Sequence, residues 1–268
     1  MTLTIYFVRH GQSEDNVRNI WAGWKDAPLS AKGQAEAVGR AFADKHISAI
    51  FASDLKRASA TGRAIHEHQP DDRKPPFTEL HGLREQFFGD AEGHPWIVLS
   101  PGDPDYDPSA KVYHVPTGRD DLFPGGESLN LLRQRAIKQV LEPHLLPLIW
   151  AARGKDEADG GAVVCASHGL CISELCSAIV DRDPDIPKGK YAFAGLHNTA
   201  WHAIRVGVKG ESSGTVPPQG EEIDLATALT VEVIKMNDHS HLRAAADSVN
   251  IQQQEESKLR DYLSGKAA

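Results

Sequence analysis

Residues 3–13 read Leu3-Thr4-Ile5-Tyr6-Phe7-Val8-Arg9-His10-Gly11-Gln12-Ser13, and this stretch decides the fold. Leu3 to Val8 is a short run dominated by apolar, β-branched and aromatic residues, the pattern of a strand covered on both faces. It stops at Arg9-His10-Gly11. Ser13 is a good helix N-cap, and Glu14 and Asp15 put negative charge in the first turn, so a helix is expected from Ser13 to about Ile20.

The same order recurs along the chain. After the turn at Asp26-Ala27-Pro28, the spacing of Ala35, Val38, Phe42 and Ala43 predicts a helix over Ala31 to Lys45. Ala49 to Ala52 reads as a second buried strand, followed by a helix from Lys56 to His68. Ala162 to Ala166 reads as a third, ending at Ser167-His168-Gly169 and passing into a helix from about Leu170 to Val180. Alternating strands and helices predict an α/β fold, a three-layer α/β/α sandwich with a mostly parallel central sheet. Ligand sites in such sheets gather beyond the carboxyl ends of the strands, where His10, Asp54 to Arg57 and His168 all lie.

Later strands are expected at Ala200 to Val206 and Leu229 to Met236, separated by an exposed Gly/Ser/Pro-rich loop at 207–222. Residues 101–126 are rich in Pro, Gly and Asp, which points to a lid or specificity element. Residues 154–161 read as a polar connector and 250–262 as a polar terminal helix. The expected organisation is one domain over 1–245 with a lid-like insertion at about 94–126, then a helical or flexible tail at 246–268.

Composition excludes several classes. Of the 268 residues, 40% are hydrophobic and 25% charged, close to the averages for globular proteins. No run approaches the ~18 apolar residues of a membrane helix, and Met1 to Thr4 leads directly into the first strand, so a cytoplasmic location is the expectation. A net charge of −8 argues against nucleic acid or a membrane surface as partner, and any phosphate site must be locally basic. Cys165, Cys171 and Cys176 are odd in number and clustered, and they lack the short spacing of zinc ligands; they read as buried thiols. His66 and His68, two apart on one helix, point to different faces and do not suit a metal. His81, His94, His114, His197 and His202 read as structural or surface residues.

Arg9-His10-Gly11 sets a guanidinium, an imidazole and a flexible residue where a buried strand meets a helix. Backbone N–H groups, the helix dipole and the fork of Arg9 suit an anion there, leaving His10 to attack phosphorus. Arg57, in the first turn of a helix after Ser53-Asp54-Leu55-Lys56, repeats the placement of a cation at a strand end. Ser167-His168-Gly169 repeats that of a histidine. Taken singly, each has a plainer reading as a solvated arginine or a satisfied core histidine.

Taken together, these elements resemble the histidine phosphatase superfamily, the phosphoglycerate mutase-like family. Arg-His-Gly with Gln-Ser-Glu-x-Asn comes first, then Ser-Asp-Leu-x-Arg-Ala-x-x-Thr, then Leu83-Arg84-Glu85 with Phe88-Gly89. Pro124-Gly125-Gly126-Glu127-Ser128 and Ser-His-Gly follow in the family's order. The similarity covers roughly residues 3–93 and 124–198 and the strand near Met236-Asn237. It implies a phosphoglycerate mutase-like fold, with His10 as nucleophile, Arg9, Arg57 and His168 gripping phosphoryl oxygens, and Glu85 as proton donor. Asn16, Gly23 and Gly169 are implied substrate contacts. No metal or cofactor is called for, because the two arginines and His168 supply the charge that Mg²⁺ supplies elsewhere.

Around Glu85 the chain reads Leu-x-Glu-x-x-x-Gly-x-x-Glu-Gly, and the insertion offers only Lys111 and Arg119, without the adjacent arginine pair of cofactor-dependent mutases. That resembles the phosphatase branch containing the TIGAR-type fructose-2,6-bisphosphatases. The implied activity is hydrolysis of phosphomonoesters of small phosphorylated metabolites, sugar phosphates or bisphosphates among them. A phosphoglycerate mutase and a non-catalytic phospho-ligand binder are the alternatives; the binder is disfavoured because all five core residues are present.

Overall fold

The computed structural model describes residues 2–30, 38–96, 109, 111, 113, 115–152, 161–209 and 228–242. The expected helix at 31–37, most of the insertion at 97–114, the connector at 154–160, the loop at 210–227 and the tail from 243 lie outside the described residues.

Six strands form one sheet: β1 (Thr2–Arg9), β2 (Ile47–Ser53), β3 (Phe77–Leu80), β4 (Ala162–Ser167), β5 (Trp201–Val208) and β6 (Leu229–Asp238). Their order is β3-β2-β4-β1-β5-β6. The first four run parallel, while β5 pairs antiparallel with β1 and β6 antiparallel with β5. The sheet is therefore mixed, with a parallel centre and an antiparallel edge.

Side chains of β1 alternate between two cores. Leu3, Ile5 and Phe7 pack with Val163 and Cys165 of β4 on one face. There they meet α3 (Leu129–Ala136), the π-helical turn Ile137–Leu145 and the short helix α4 (Leu146–Ala151) that continue it, and α5 (Gly169–Val180). Tyr6 and Val8 pack with Ile50 and Val164 on the other face, under Ile65 of α2 (Lys56–Glu67) and under Phe42 of the 3₁₀ turn Gly39–Phe42. A covered surface on each side of the sheet is what makes three layers, and it explains why β1, β2 and β4 read as unbroken apolar runs.

Some expected elements differ. The helix after Ser13 is only α1 (Glu14–Val17): Ser13 and Asn16 form a reciprocal capping box, and Asn19 turns the chain with a φ of 56°. Within the predicted helix Ala31 to Lys45, the described part holds only a 3₁₀ turn at Gly39–Phe42. The strand β3 was not expected from the sequence. All three cysteines are buried and free, as expected, and burial pushes the Cys171 thiol up to about 12. Among the described residues no helix is long and apolar enough to cross a membrane.

Candidate active site

The carboxyl ends of β1, β4 and β2 lie side by side, with Arg9 opposite Ser167 and Ala52 opposite Ala166. His10 and His168 thus leave neighbouring strands together, and their ring centroids are 5.0 Å apart. The His10 amide donates to the Ser167 carbonyl at 3.0 Å, and its carbonyl accepts from the Thr199 amide and the Asn198 side chain. Both flanks of the histidine are tied to the sheet.

His10 Nδ1 stands 2.6 Å from the Gly11 carbonyl oxygen. A carbonyl only accepts, so the proton of the neutral ring sits on Nδ1 and the lone pair on Nε2. Burial, then the charges of Arg57 and Arg9, hold the His10 pKa well below the ordinary histidine value, so the ring is neutral near pH 7. A neutral imidazole with its Nε2 lone pair free is able to act as a nucleophile. Gly11 donates its amide to Thr61 Oγ1, and that hydroxyl donates to the Arg57 carbonyl, which links the first motif to α2.

Arg57 is 1% exposed. Its terminal nitrogens donate to the Lys25 and Gly23 carbonyls at 2.8 and 2.7 Å. Arg9 donates from one terminal nitrogen to the Leu196 carbonyl at 2.6 Å. Each guanidinium is anchored by backbone at its tip, yet Arg9 Nε and Arg57 Nε are buried donors without a protein acceptor. His168 Nδ1 is a third buried nitrogen without a partner, while His168 Nε2 lies 2.9 Å from Ser53 Oγ. Ser53 Oγ accepts from the Leu55 amide; when its own proton goes to His168 Nε2, the neutral ring carries its hydrogen on the unpartnered Nδ1. Burial, then Arg57, His10 and Arg9, keep His168 neutral as well. Buried donors without acceptors cost about 1–3 kcal/mol each, and an anion bound among them removes that cost.

Glu85 lies against the start of α5. One carboxylate oxygen accepts from the amides of Gln86 and Cys171 at 3.0 and 3.1 Å, and the other from the Leu170 amide at 3.3 Å. Its main-chain carbonyl accepts from Trp24 Nε1 and from Arg135, which also reaches the Gly82 and Arg84 carbonyls and grips Glu127 with both arms. Gly169 lies at this junction, where a Cβ would stand at ordinary contact distance from Arg9 Nε and the Glu85 carboxylate.

Arg9, His10, Asn16, Gly23, Arg57, Glu85 and Gly169 line one cavity of about 330 Å³, with His168 beneath His10. The structure therefore brings together all eight residues picked from the sequence. Two of them are also committed to holding the loops. Asn16 Oδ1 accepts from the Ser13 amide and hydroxyl, and Gly23, at φ 47°, packs so closely on Glu92 that a Cβ would lie 2.0 Å from its carboxylate. Glu92 itself braces the Trp24 and Phe88 amides and does not line the cavity; nor does Glu14. A larger groove of about 480 Å³ lies beyond Trp24 along α3 but contains none of the histidines.

Sequence reasoning did not assign roles to Trp21, Trp24, Arg135 or Glu127. Ser53 and Thr61 stood within a quoted motif and could have been found there; Trp21 and Trp24 flank Gly23, where two tryptophans in a polar loop were the available signal.

The family model for the histidine phosphatase superfamily (branch 1) matches residues 5–212. A 2,3-bisphosphoglycerate-dependent phosphoglycerate mutase of Beijerinckia indica is 30% identical over 69% of this chain and 84% of its own length. The fructose-2,6-bisphosphatase TIGAR of Xenopus tropicalis is 33% identical over 58% of this chain and 54% of its own. In fold, a mycobacterial glucosyl-3-phosphoglycerate phosphatase with bound vanadate superposes with a TM-score of 0.62 at 22% identity, covering 88% of this chain and 99% of that one. The relatives include both mutases and phosphatases, the fold is shared, and the motifs that line the cavity fall inside the matched span: the chain belongs to the histidine phosphatase superfamily.

Proposed function

We propose that the protein hydrolyses phosphomonoesters of small metabolites through a phosphohistidine on His10. The observation that carries this reading is the fixed tautomer of a buried, neutral His10, its Nε2 lone pair set among two arginines and His168. In the first step Nε2 attacks phosphorus, the P–O bond to the alcohol breaks, and Glu85 gives its proton to the departing oxygen. Arg9, Arg57 and His168 hold the equatorial oxygens. In the second step Glu85 takes a proton from water, whose oxygen attacks phosphorus; the P–N bond breaks and phosphate leaves. Asn16, Gly23 and Gly169 shape the wall around the bound ester.

Mutase action shares the first step, and the identity to the Beijerinckia mutase favours it as a second reading. It requires a phosphoglycerate to be held by its carboxylate, and beyond Arg9 and Arg57 no arginine or lysine among the described residues lines the cavity. A screen of phosphorylated metabolites in excess EDTA, scoring released phosphate separately from isomerised product, tests both. Phosphate release with undiminished rate supports a metal-independent phosphatase. Isomerised product as the main outcome sinks it, and activity that returns only with added Mg²⁺ or Zn²⁺ sinks the charge assignment. The unit carrying this activity is proposed to be residues 1–245.

A further inference from the structure

Away from His10, the cavity changes character. Its outer wall is built from Ile20, Trp21, Phe88, Trp96, Leu170 and Leu196. Trp21 meets Phe88 edge-on at 4.8 Å and Phe123 at 5.2 Å, and Phe123 is buried beneath them. Backbone hydrogen bonds join the two loops that carry the tryptophans: Trp21 donates to His94, Gly93 to Trp21 and Trp96 to Asn19, each at 2.9 Å. The wall is thus fixed before any ligand arrives.

Among the described residues no arginine or lysine lines that wall, and the cations nearest to it are turned to other groups. Arg84 is held by both arms on Asp54, Arg119 by both arms on Glu174, Lys25 lies by Gly93 and Glu92, and Lys111 sits over the Tyr113 ring. Among the described residues Glu85 is the one carboxylate that lines the cavity.

We infer that the alcohol carried by the phosphate is uncharged and turns an aromatic or other apolar face to Trp21, Phe88 and Trp96, and that esters bearing a second phosphate or a carboxylate are poor substrates. This deepens the phosphatase reading and rests on it. A second anion would leave water for ring faces that carry partial negative charge, with the Trp21 indole N–H as a neutral donor and no cation among the described residues that line the wall. A flat apolar group in the same place removes both surfaces from water.

Three alkyl esters separate charge from leaving-group chemistry: benzyl phosphate, glycerol 1-phosphate and 3-phosphoglycerate, with fructose-2,6-bisphosphate as the doubly phosphorylated case. kcat/KM is expected to be at least about 10-fold higher for benzyl phosphate than for glycerol 1-phosphate, the scale of a filled apolar pocket, and lowest for the two esters with a second anion. Trp96 is 47% exposed, so Trp96→Ala tests the wall at little cost to folding, and it should bring the benzyl-to-glycerol ratio towards one. Ala194 is exposed at the cavity rim, and Ala194→Arg should raise 3-phosphoglycerate relative to benzyl phosphate. Phosphate release that favours 3-phosphoglycerate or the bisphosphate in the unmodified protein overturns this inference and leaves the phosphatase reading standing, as does a benzyl preference unchanged in Trp96→Ala. Release from none of the four sinks the phosphatase reading and this inference with it.

Discussion

The two ends of the cavity are built in opposite ways. At the phosphate end, Arg57, His10 and His168 are almost wholly buried: His10 and His168 are fixed by groups that follow or end strands, and Arg57 by the Gly23 and Lys25 carbonyls of the loop after α1. At the outer end, apolar rings from loops 19–23 and 93–96 and from Phe88 form the wall, Trp96 is half exposed, and residues 97–108 lie outside the described residues. The first end accepts instability, in the form of orphaned donors and neutralised imidazoles, to gain electrostatic preorganisation. The second gives up charge and gains apolar surface that can be varied without touching the chemistry. Under the proposed function the difference puts phosphoryl transfer at one end and choice of alcohol at the other, and each half of that proposal can be broken separately.

The largest effect is expected at the phosphate end. His10→Ala should lower phosphate release by about 10⁴-fold or more, the scale of removing a nucleophile, because among the described residues no other imidazole lines the cavity. The fold should persist, since the neighbouring strand contacts run through main chain; circular dichroism and a denaturation curve check that. Substantial residual activity would end the phosphohistidine mechanism.

Glu85 sits between the two ends, and its importance should depend on the alcohol. Glu85→Gln should cost about 10²–10⁴-fold with benzyl phosphate, whose alkoxide needs a proton to leave. With p-nitrophenyl phosphate, formation of phosphohistidine should be far less affected, and the variant should show a burst and then stall for want of a base. Single-turnover traces that slow equally with both esters would assign Glu85 to positioning alone. That outcome would direct attention to the brace from Arg135 and Trp24 on its carbonyl.

Much of the phosphate end was legible in the sequence because parallel strands buried on both faces leave unbroken apolar runs, and Arg9-His10 and Ser167-His168 sit where two such runs stop. The outer end was not. β3, with Thr78 and Glu79 exposed at the sheet edge, leaves no apolar signature, and the early stop of α1 depends on the left-handed turn at Asn19. The brace of Arg135 on Glu85 joins residues 50 apart in sequence, and the pairing of Trp21 with Phe88 and Phe123 joins three loops. Such contacts exist only once the chain closes, so composition and periodicity do not report them. The antiparallel edge likewise follows from sheet order, which the positions of β5 and β6 alone did not give.

If the phosphate end stores instability in neutral histidines, stability must depend on pH in a defined window. His10 and His168 have folded-state pKa values well below 6.5, so the unfolded chain takes up protons as pH falls through 6.5 while the folded chain does not. Stability contributed by these groups is therefore full above about pH 7 and falls below it, by up to about 1.4 kcal/mol per pH unit for each histidine until its folded pKa is reached. Urea denaturation midpoints between pH 7.5 and 5 should show this fall, and His168→Asn should flatten it. A slope unchanged by that substitution would mean that His168 is not held neutral in the fold.

The smallest effect on chemistry is expected at the outer end. The described part of the insertion is pinned: Arg119 places both arms on the buried carboxylate of Glu174, and Phe123 is buried under Trp21. Replacing the whole of 103–119 would leave Glu174 only its longer contact with Arg133 at 3.8 Å, at a cost below the about 3–5 kcal/mol of an unpaired buried charge, the more so because half-exposed Arg119 is screened by solvent. The sharper replacement is a Gly/Ser linker over 99–108, which leaves Arg119, Tyr113 and Phe123 in place. Hydrolysis of p-nitrophenyl phosphate, a small ester with a good leaving group, should stay within about 3-fold of the unmodified protein if the segment acts only as a cover. The ranking of benzyl phosphate against glycerol 1-phosphate should change, because any cover over the cavity acts on the alcohol and not on the phosphoryl group. A large loss with p-nitrophenyl phosphate would show that residues 99–108 support the phosphate end as well, and the separation of the two ends would fail. An unchanged ranking would instead leave substrate choice to the aromatic wall alone.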